Sequence, residues 1–404
     1  MPIDDSPSPL SIIIIGAGIA GLSAAIGLSK QGHHVIILEK SKFARETGAA
    51  LHVPPNCTAM LRWMDVDPKE FGGTLLEQFH LYDASGNLKY QKDFSDIRMV
   101  PRPPSHFHNY LKERLLQTAA TLYLGCKITH VNSKGERPSV TLDGGREYTC
   151  DLLLGADGVH SMLRNHIVPN HPSPFPVGKS AFRWLLPTED LKKHDTTKDV
   201  LGDLGVFIEW AADDRRLVAY PCSDSKIFNL CGFMPTTESG RCGEGWQAVG
   251  DKSALAKGFS EFAPSVRRLI EAAGDDLKVW ELFDMERLPT WVSGRAALVG
   301  DSAHPFQPYM GQGAAMAIED ALSIATLLPL GTKAKDIPAQ LELYEKSRQP
   351  RIDYVMKYTR LNGADENDPS VQRITAAEMV KVMGICFSYN EIEHSTRLLE
   401  GVIC

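Results

Sequence analysis

No two cysteines in this chain are spaced as Cys-x-x-Cys, although eight are present: Cys57, Cys126, Cys150, Cys222, Cys231, Cys242, Cys386 and Cys404. That spacing points to no zinc site and no thioredoxin-like motif, and reduced thiols in the cytoplasm are the expectation. Positive charge is not in excess either. Lys and Arg number 43 against 50 Asp and Glu, a net charge of -7, which argues against nucleic acid or an anionic membrane as the main partner. Long apolar runs are lacking. The best candidate, SIIIIGAGIAGLSAAIGLSK (Ser11–Lys30), has glycines clustered in mid-run, and these suit a spanning helix of about 20 apolar residues poorly. The preceding MPIDDSPSPL carries two aspartates and no lysine or arginine, unlike the basic flank of a secretory leader. Beyond that Pro/Ser-rich start there is no low-complexity tract and no internal repeat. What is there is an ordinary globular composition, 43% hydrophobic and 23% charged over 404 residues, enough for two domains or one large interlaced α/β unit.

The glycines explain the opening stretch. Ile12–Ile15 form a short buried β-run, Gly16, Gly18 and Gly21 make GxGxxG, and SAAIGLSKQG reads as a helix ending at Gly32. VIILE follows, a second apolar strand closing on Glu39. This is the full dinucleotide fingerprint, with its acidic residue about 20 positions after the glycines. Gly16 allows the tight turn, Gly18 the approach of a pyrophosphate and Gly21 close helix–strand packing. The helix N-terminus offers N–H groups and a favourable dipole to phosphate.

Two later stretches have strand–loop–helix character. DLLLGADGVHSMLR (Asp151–Arg164) is an apolar strand, an Asp-Gly turn and a helix. AALVGDSAHPFQPYMGQGAAMAIEDALSIATLL (Ala296–Leu328) is a buried strand ending at Gly300–Asp301, a proline-containing loop and a glycine pair leading into an apolar helix. With GAGIAG at Gly16–Gly21, in that order, they resemble the single-component (class A) FAD-dependent aromatic hydroxylases, the para-hydroxybenzoate and salicylate hydroxylase group. The resemblance covers about the first 360 residues, and similar proteins are common among fungal natural-product monooxygenases.

The resemblance implies an α/β fold. A discontinuous Rossmann-like FAD-binding domain would comprise residues 10–75, 99–175 and 288–350. An inserted antiparallel-sheet substrate domain would comprise 76–98 and 176–287, with C-terminal helices over 351–404. Glu39 would bind the adenosine ribose and Asp301 the ribityl and pyrophosphate part of FAD. Gly48 and Ala49, in ETGAAL, would approach the cofactor through their backbone, and Asp157 belongs to a motif associated with both FAD and the pyridine nucleotide. Pro308 would lie beside the ring, with Gly311, Gly313 and Ala314 placing backbone N–H groups near its pyrimidine edge. A helix starting near Ala314 points its positive end at the part that becomes anionic on reduction. Two departures stand out. Relatives usually carry asparagine where this chain has Ala314, and often an arginine where HFHNYLKERL places His108. For His108, a cofactor contact and a half-buried helix-start histidine both remain open.

Within the second region DLGVFIEW, RLVAYPC and IFNLCGFM read as an antiparallel meander, separated by turn chemistry, and FHLYDASGNLKYQKDF as a hairpin turning at Ser85–Gly86–Asn87. The helical LELYEKSRQPRIDYVMKYTRL is expected to be interrupted at Pro350, with Arg348 and Arg351 in packing or salt bridges. No second GxGxxG occurs, so NADPH or NADH would dock transiently on the flavin domain. The family reaction takes a hydride from NAD(P)H and inserts one atom of dioxygen. The oxygenating species is an electrophile, so a small aromatic or heteroaromatic substrate must be electron-rich. A phenol titrates at about pH 10, and a nearby arginine favours its anion. Arg183, in SAFRWLLP, and Tyr220, in RLVAYPC, are the catalytic candidates; a strand-edge salt bridge and a core aromatic are the alternatives. Epoxidation, oxidative decarboxylation, ring rearrangement, Baeyer–Villiger oxidation or flavin binding without turnover also fit the fold. Halogenation is less favoured, since RWLLP around Trp184 only partly matches WxWxIP. A monomer or homodimer is expected.

Overall fold

The computed structural model describes residues 8–42, 53–67, 74–94, 107–198, 205–241, 248–274, 277–365 and 374–401. A six-stranded sheet runs in the order Val292–Ser293, Ala296–Leu298, Leu152–Gly155, Ser11–Ile15, His34–Glu39, Thr121–Leu124. Its strands pair in parallel except at the Val292–Ser293 edge. The central strands are buried along almost their whole length, as a parallel sheet covered on both faces requires. The helix Ile19–Lys30 packs against Gly313–Leu327, and both are mostly buried.

A seven-stranded sheet runs Lys278–Asp284, Phe175–Pro187, Ile227–Pro235, Arg216–Cys222, Val206–Ala211, Gln78–Asp83, Leu88–Asp93. The meander and the hairpin are both in it, and the hairpin turns through Gly86 at φ +88°. One joint differs from the expected antiparallel pattern: Val206–Ala211 pairs in parallel with Gln78–Asp83. The hairpin arrives from far upstream, so no short turn constrains its direction to be antiparallel. One face of this sheet, through Phe182, Trp184, Ile208, Trp210 and Leu230, packs on the helices Lys252–Gly258 and Pro264–Glu271. The other carries Ala181, Val218, Tyr220, Cys231 and Phe233.

The expected interruption at Pro350 does not occur. Ile337–Gly363 is one helix with Pro350 inside it. Proline removes a backbone hydrogen bond there and crowds the preceding turn, but buried Ser347, Arg348, Arg351 and Ile352 fasten the helix on both sides of it. Among the described residues, no helix is long and apolar enough to cross a membrane, and no cluster of His, Cys, Asp and Glu could hold a metal.

Candidate active site

Four adjacent parallel strands bring their carboxyl ends to one edge, where Ile15 lies level with Leu38 and Gly155, and Gly155 with Leu298. Gly16, Glu39, Asp157 and Asp301 all follow or end these strands, so residues remote in sequence meet at the edge where open α/β sheets bind ligands. At Gly16 φ is +101°, and a Cβ there would lie 2.4 Å from the Ala156 carbonyl oxygen. A Cβ at Gly21 would lie 2.0 Å from the Gly16 carbonyl oxygen. The turn is therefore closed to side chains from behind, whereas nothing lies within 4 Å of a Cβ built at Gly18. Gly18 caps the helix Ile19–Lys30 without a side-chain hydrogen bond, leaving its first N–H groups available to an anion. Glu39 Oε2 accepts from Ala17 N at 2.8 Å, and Oε1 accepts from Ser41 N at 2.7 Å. His108, in the helix Phe107–Leu115, places Nε2 2.7 Å from the Ala17 carbonyl oxygen. A carbonyl only accepts, so Nε2 carries the proton. His108 thus reaches the glycine turn from outside the fingerprint.

The second and third motifs are tied to each other. The Asp157 carboxylate accepts from Met162 N at 2.7 Å and from Ser302 Oγ at 3.1 Å, and Gly158 N donates to Ser302 Oγ at 2.8 Å. Asp157 therefore takes the first N–H groups of the helix Met162–Ile167, whose N-cap is Ser161, and fixes the loop between them. Fully buried Arg164 donates to the carbonyls of Val159, Asp301 and Ser302, each at 2.8 Å. Arg164 closes the DGVHSMLR motif without matching any chemistry there, and its one signal in the sequence is a charged residue on the apolar side of a short helix. Asp301 is exposed, yet crowded by protein on its other sides. Desolvation holds its carboxyl above the ordinary range, with His304 and Arg164 opposing.

Pro308–Met310 form a single 3₁₀ turn that ends at Gly311, in the left-handed region at φ +61°. The helix Gly313–Leu327 follows, again without a side-chain cap, and nothing lies within 4 Å of a Cβ at Gly313. Ala314 leaves the backbone N–H as the only donor at its position. Gly48 and Ala49 lie outside the described residues. Beneath this helix is a buried set of charges. Arg348 donates to Glu319 at 2.6 Å, Asp320 at 2.8 Å and Glu391 at 2.9 Å; Arg351 joins Glu319 at 3.1 Å and His304 joins Asp320 at 2.6 Å. The sequence placed Arg348 and Arg351 in packing or salt bridges, where they are. It gave no sign of Glu391, their partner from the helix Glu391–Leu399.

Arg183 and Tyr220 project from the same face of the seven-stranded sheet, with one strand between them, as the Arg183–Cys231 and Tyr220–Asn229 register shows. The Arg183 guanidinium lies 5.6 Å from the Trp280 ring centroid. Tyr220 stacks on Phe207 at 5.6 Å and 9°. Tyr309, next to Pro308, packs on Phe233 of this face at 5.4 Å, so the glycine-rich loop packs against the sheet face that carries the two catalytic candidates. Trp184 points the other way and donates to the Leu269 carbonyl at 3.1 Å, which removes it from any halogenase-like role on that face.

Two helix N-termini without side-chain caps, open space at Gly18 and Gly313, and the carboxylates of Glu39 and Asp301 at the carboxyl edge of the sheet fit a bound dinucleotide: the fold and site are those of a dinucleotide-binding protein. The chain belongs to the FAD binding domain family, which it matches over residues 10–359. It is 31% identical to hispidin-3-hydroxylase of Neonothopanus nambi, the match covering 86% of each chain. It is 30% identical to 3-hydroxybenzoate 6-hydroxylase 1 of Aquipseudomonas alcaligenes, over 87% of this chain and 88% of that one. A salicylate hydroxylase substrate complex superposes with a TM-score of 0.81 at 26% identity, covering 98% of both. FAD is the cofactor and the activity is that of an FAD-dependent monooxygenase.

Proposed function

We propose that this chain inserts one oxygen atom of dioxygen into an electron-rich aromatic or heteroaromatic small molecule. Bound FAD supplies hydride acceptance from NAD(P)H and activation of dioxygen. The protein supplies orientation, charge and exclusion of water. Glu39 takes the ribose hydroxyls, the Gly16–Gly21 turn, held by His108 through the Ala17 carbonyl, takes the pyrophosphate, and Asp301 the ribityl chain. Gly311, Gly313 and Ala314 present N–H groups to the pyrimidine edge, where the dipole of Gly313–Leu327 favours negative charge. Asp157 acts through the loop it fixes. Arg183 holds the substrate oxygen as its anion, because a guanidinium favours the charged form of a phenol. Tyr220 orients the same oxygen. The division into a flavin domain (10–75, 99–175, 288–350), a substrate domain (76–98, 176–287) and a C-terminal helical segment belongs to this reading. So do a cytoplasmic location, supported by free thiols at the six described cysteines, and a monomeric or homodimeric state.

The observation that carries the reading is the contact of Tyr309 with Phe233, which sets the glycine-rich loop against the face bearing Arg183 and Tyr220. Anaerobic NADPH or NADH should bleach the purified yellow protein. Isotopically labelled dioxygen should then place one labelled atom in a phenolic or heteroaromatic product. A flavin that stays yellow, or product oxygen drawn from water, would overturn the proposal.

A further inference from the structure

The turn Gln307-Pro308-Tyr309 is gripped from both sides, and the grip comes from outside the family's glycine motifs. Gln307 Nε2 donates to Asp284 Oδ2 at 3.1 Å, and Arg360 holds the same carboxylate at 2.8 and 2.7 Å. Desolvation would raise the Asp284 carboxyl, but Arg360 and Gln307 hold it below the ordinary range. On the other side of the proline, the Tyr309 ring sits 4.8 Å from the Arg216 guanidinium and 5.4 Å from Phe233. Arg216 is itself fixed by Glu209 at 3.0 Å and by the Asn362 carbonyl at 2.9 Å. Asn362 Nδ2 donates to the Tyr309 carbonyl at 2.7 Å. The slot for the ring exists because position 363 has no side chain: a Cβ there would lie 2.3 and 2.4 Å from two Tyr309 ring carbons and 3.0 Å from Gln307 Oε1. Between two anchored neighbours, Pro308 alone is exposed.

We propose that the last turn of the helix Ile337–Gly363, through Arg360, Asn362 and Gly363, acts with Arg216 as a clamp that sets the position of the Pro308 turn, and of the helix N-terminus behind it, against the flavin ring. This rests on the reading that the turn adjoins the isoalloxazine. The clamp residues are positioning residues; none touches the reacting atoms. Arg360, Asn362 and Gly363 belong to the long helix, Asp284 and Arg216 to the sheet, so the clamp makes the relative placement of sheet and flavin a matter of a few side chains. Moving the turn moves Gly311–Ala314, and with them the dipole that favours the anionic, reduced ring over the neutral one.

Gly363→Ala tests this on the FAD-loaded protein. The affinity for oxidised FAD should change less than about threefold, because the fingerprint end of the site is untouched. Binding of reduced FAD should weaken about tenfold, read as a fall in midpoint potential of about 30 mV for a two-electron couple. Arg216→Ala should shift the potential in the same direction and keeps the test alive if Gly363→Ala does not fold. Tyr309→Phe, which keeps the ring, should recover most of what Tyr309→Ala loses. If wild-type protein takes up no FAD, the proposed function fails. If it does, and every variant keeps the wild-type potential or loses both redox forms equally, the clamp is refuted while the proposed function stands.

Discussion

Glu39 shows how much one carboxylate can carry. It closes the second strand and accepts from Ala17 N and Ser41 N, so its oxygens are held level with the glycine turn before any ligand arrives. Hydrogen bonds to a charged group contribute about 1.5–3 kcal/mol. Glu39→Ala should therefore weaken FAD binding about 10- to 100-fold while leaving the far-ultraviolet dichroism of the apoprotein unchanged, which a flavin-fluorescence titration would establish. Arg183 makes the opposite prediction. It lies in the other sheet, on the face with Tyr220, so Arg183→Ala should keep its flavin and still oxidise NAD(P)H. Removing one donor aimed at developing or stabilised negative charge costs about a hundredfold or more in rate. Product formed per NAD(P)H consumed should fall by that order, and unchanged coupling would take Arg183 out of the chemistry.

Elements differ in how legible they are. The stretch from Ser11 to Glu39 could be read whole because strand, turn, helix and strand are contiguous, and each carries its own local signal in period, glycine spacing or charge. The Gly86 hairpin was legible for the same reason. The parallel joint between Val206–Ala211 and Gln78–Asp83 was not, since nothing local to either strand specifies a partner so distant in sequence. Pro350 misled because proline is a local breaker, whereas the helix survives on contacts made by Arg348 and Arg351 with residues from other elements. Arg164 teaches the same lesson on a smaller scale. Three backbone carbonyls converge on it from two motifs, an arrangement that a lysine, with no planar fork, cannot reproduce. Arg164→Lys should lower stability by about 1.5–3 kcal/mol, seen as a lower denaturation midpoint in urea with an unchanged slope.

For the molecule as a whole, the buried charges under Gly313–Leu327 join the fingerprint layer, the long helix and the C-terminal helix. Asp320 is at their centre: it accepts from Gly300 N at 2.8 Å, from His304 at 2.6 Å and from Arg348 at 2.8 Å. Burial alone would raise its carboxyl, but His304 and Arg348 outweigh that and bring it down from 3.8 to about 2. A carboxyl lowered on folding contributes stability that is fully present above its unfolded value and is lost as pH falls through its folded value. The contribution of Asp320 is therefore present above about pH 4 and disappears towards about pH 2. A shift of this size corresponds to about 2 kcal/mol. Asp320→Asn cannot lose what it no longer titrates, so its stability should fall less steeply than wild type between those limits. It should also start lower at neutral pH, by about 1.5–3 kcal/mol, because the charge-assisted bonds to His304 and Arg348 are lost, while Glu319 and Glu391 still pair the buried arginine. Urea melts of the apoprotein at several pH values would read both effects, and parallel curves for the two proteins across the acid range would show that Asp320 is not the group that couples the three elements to pH.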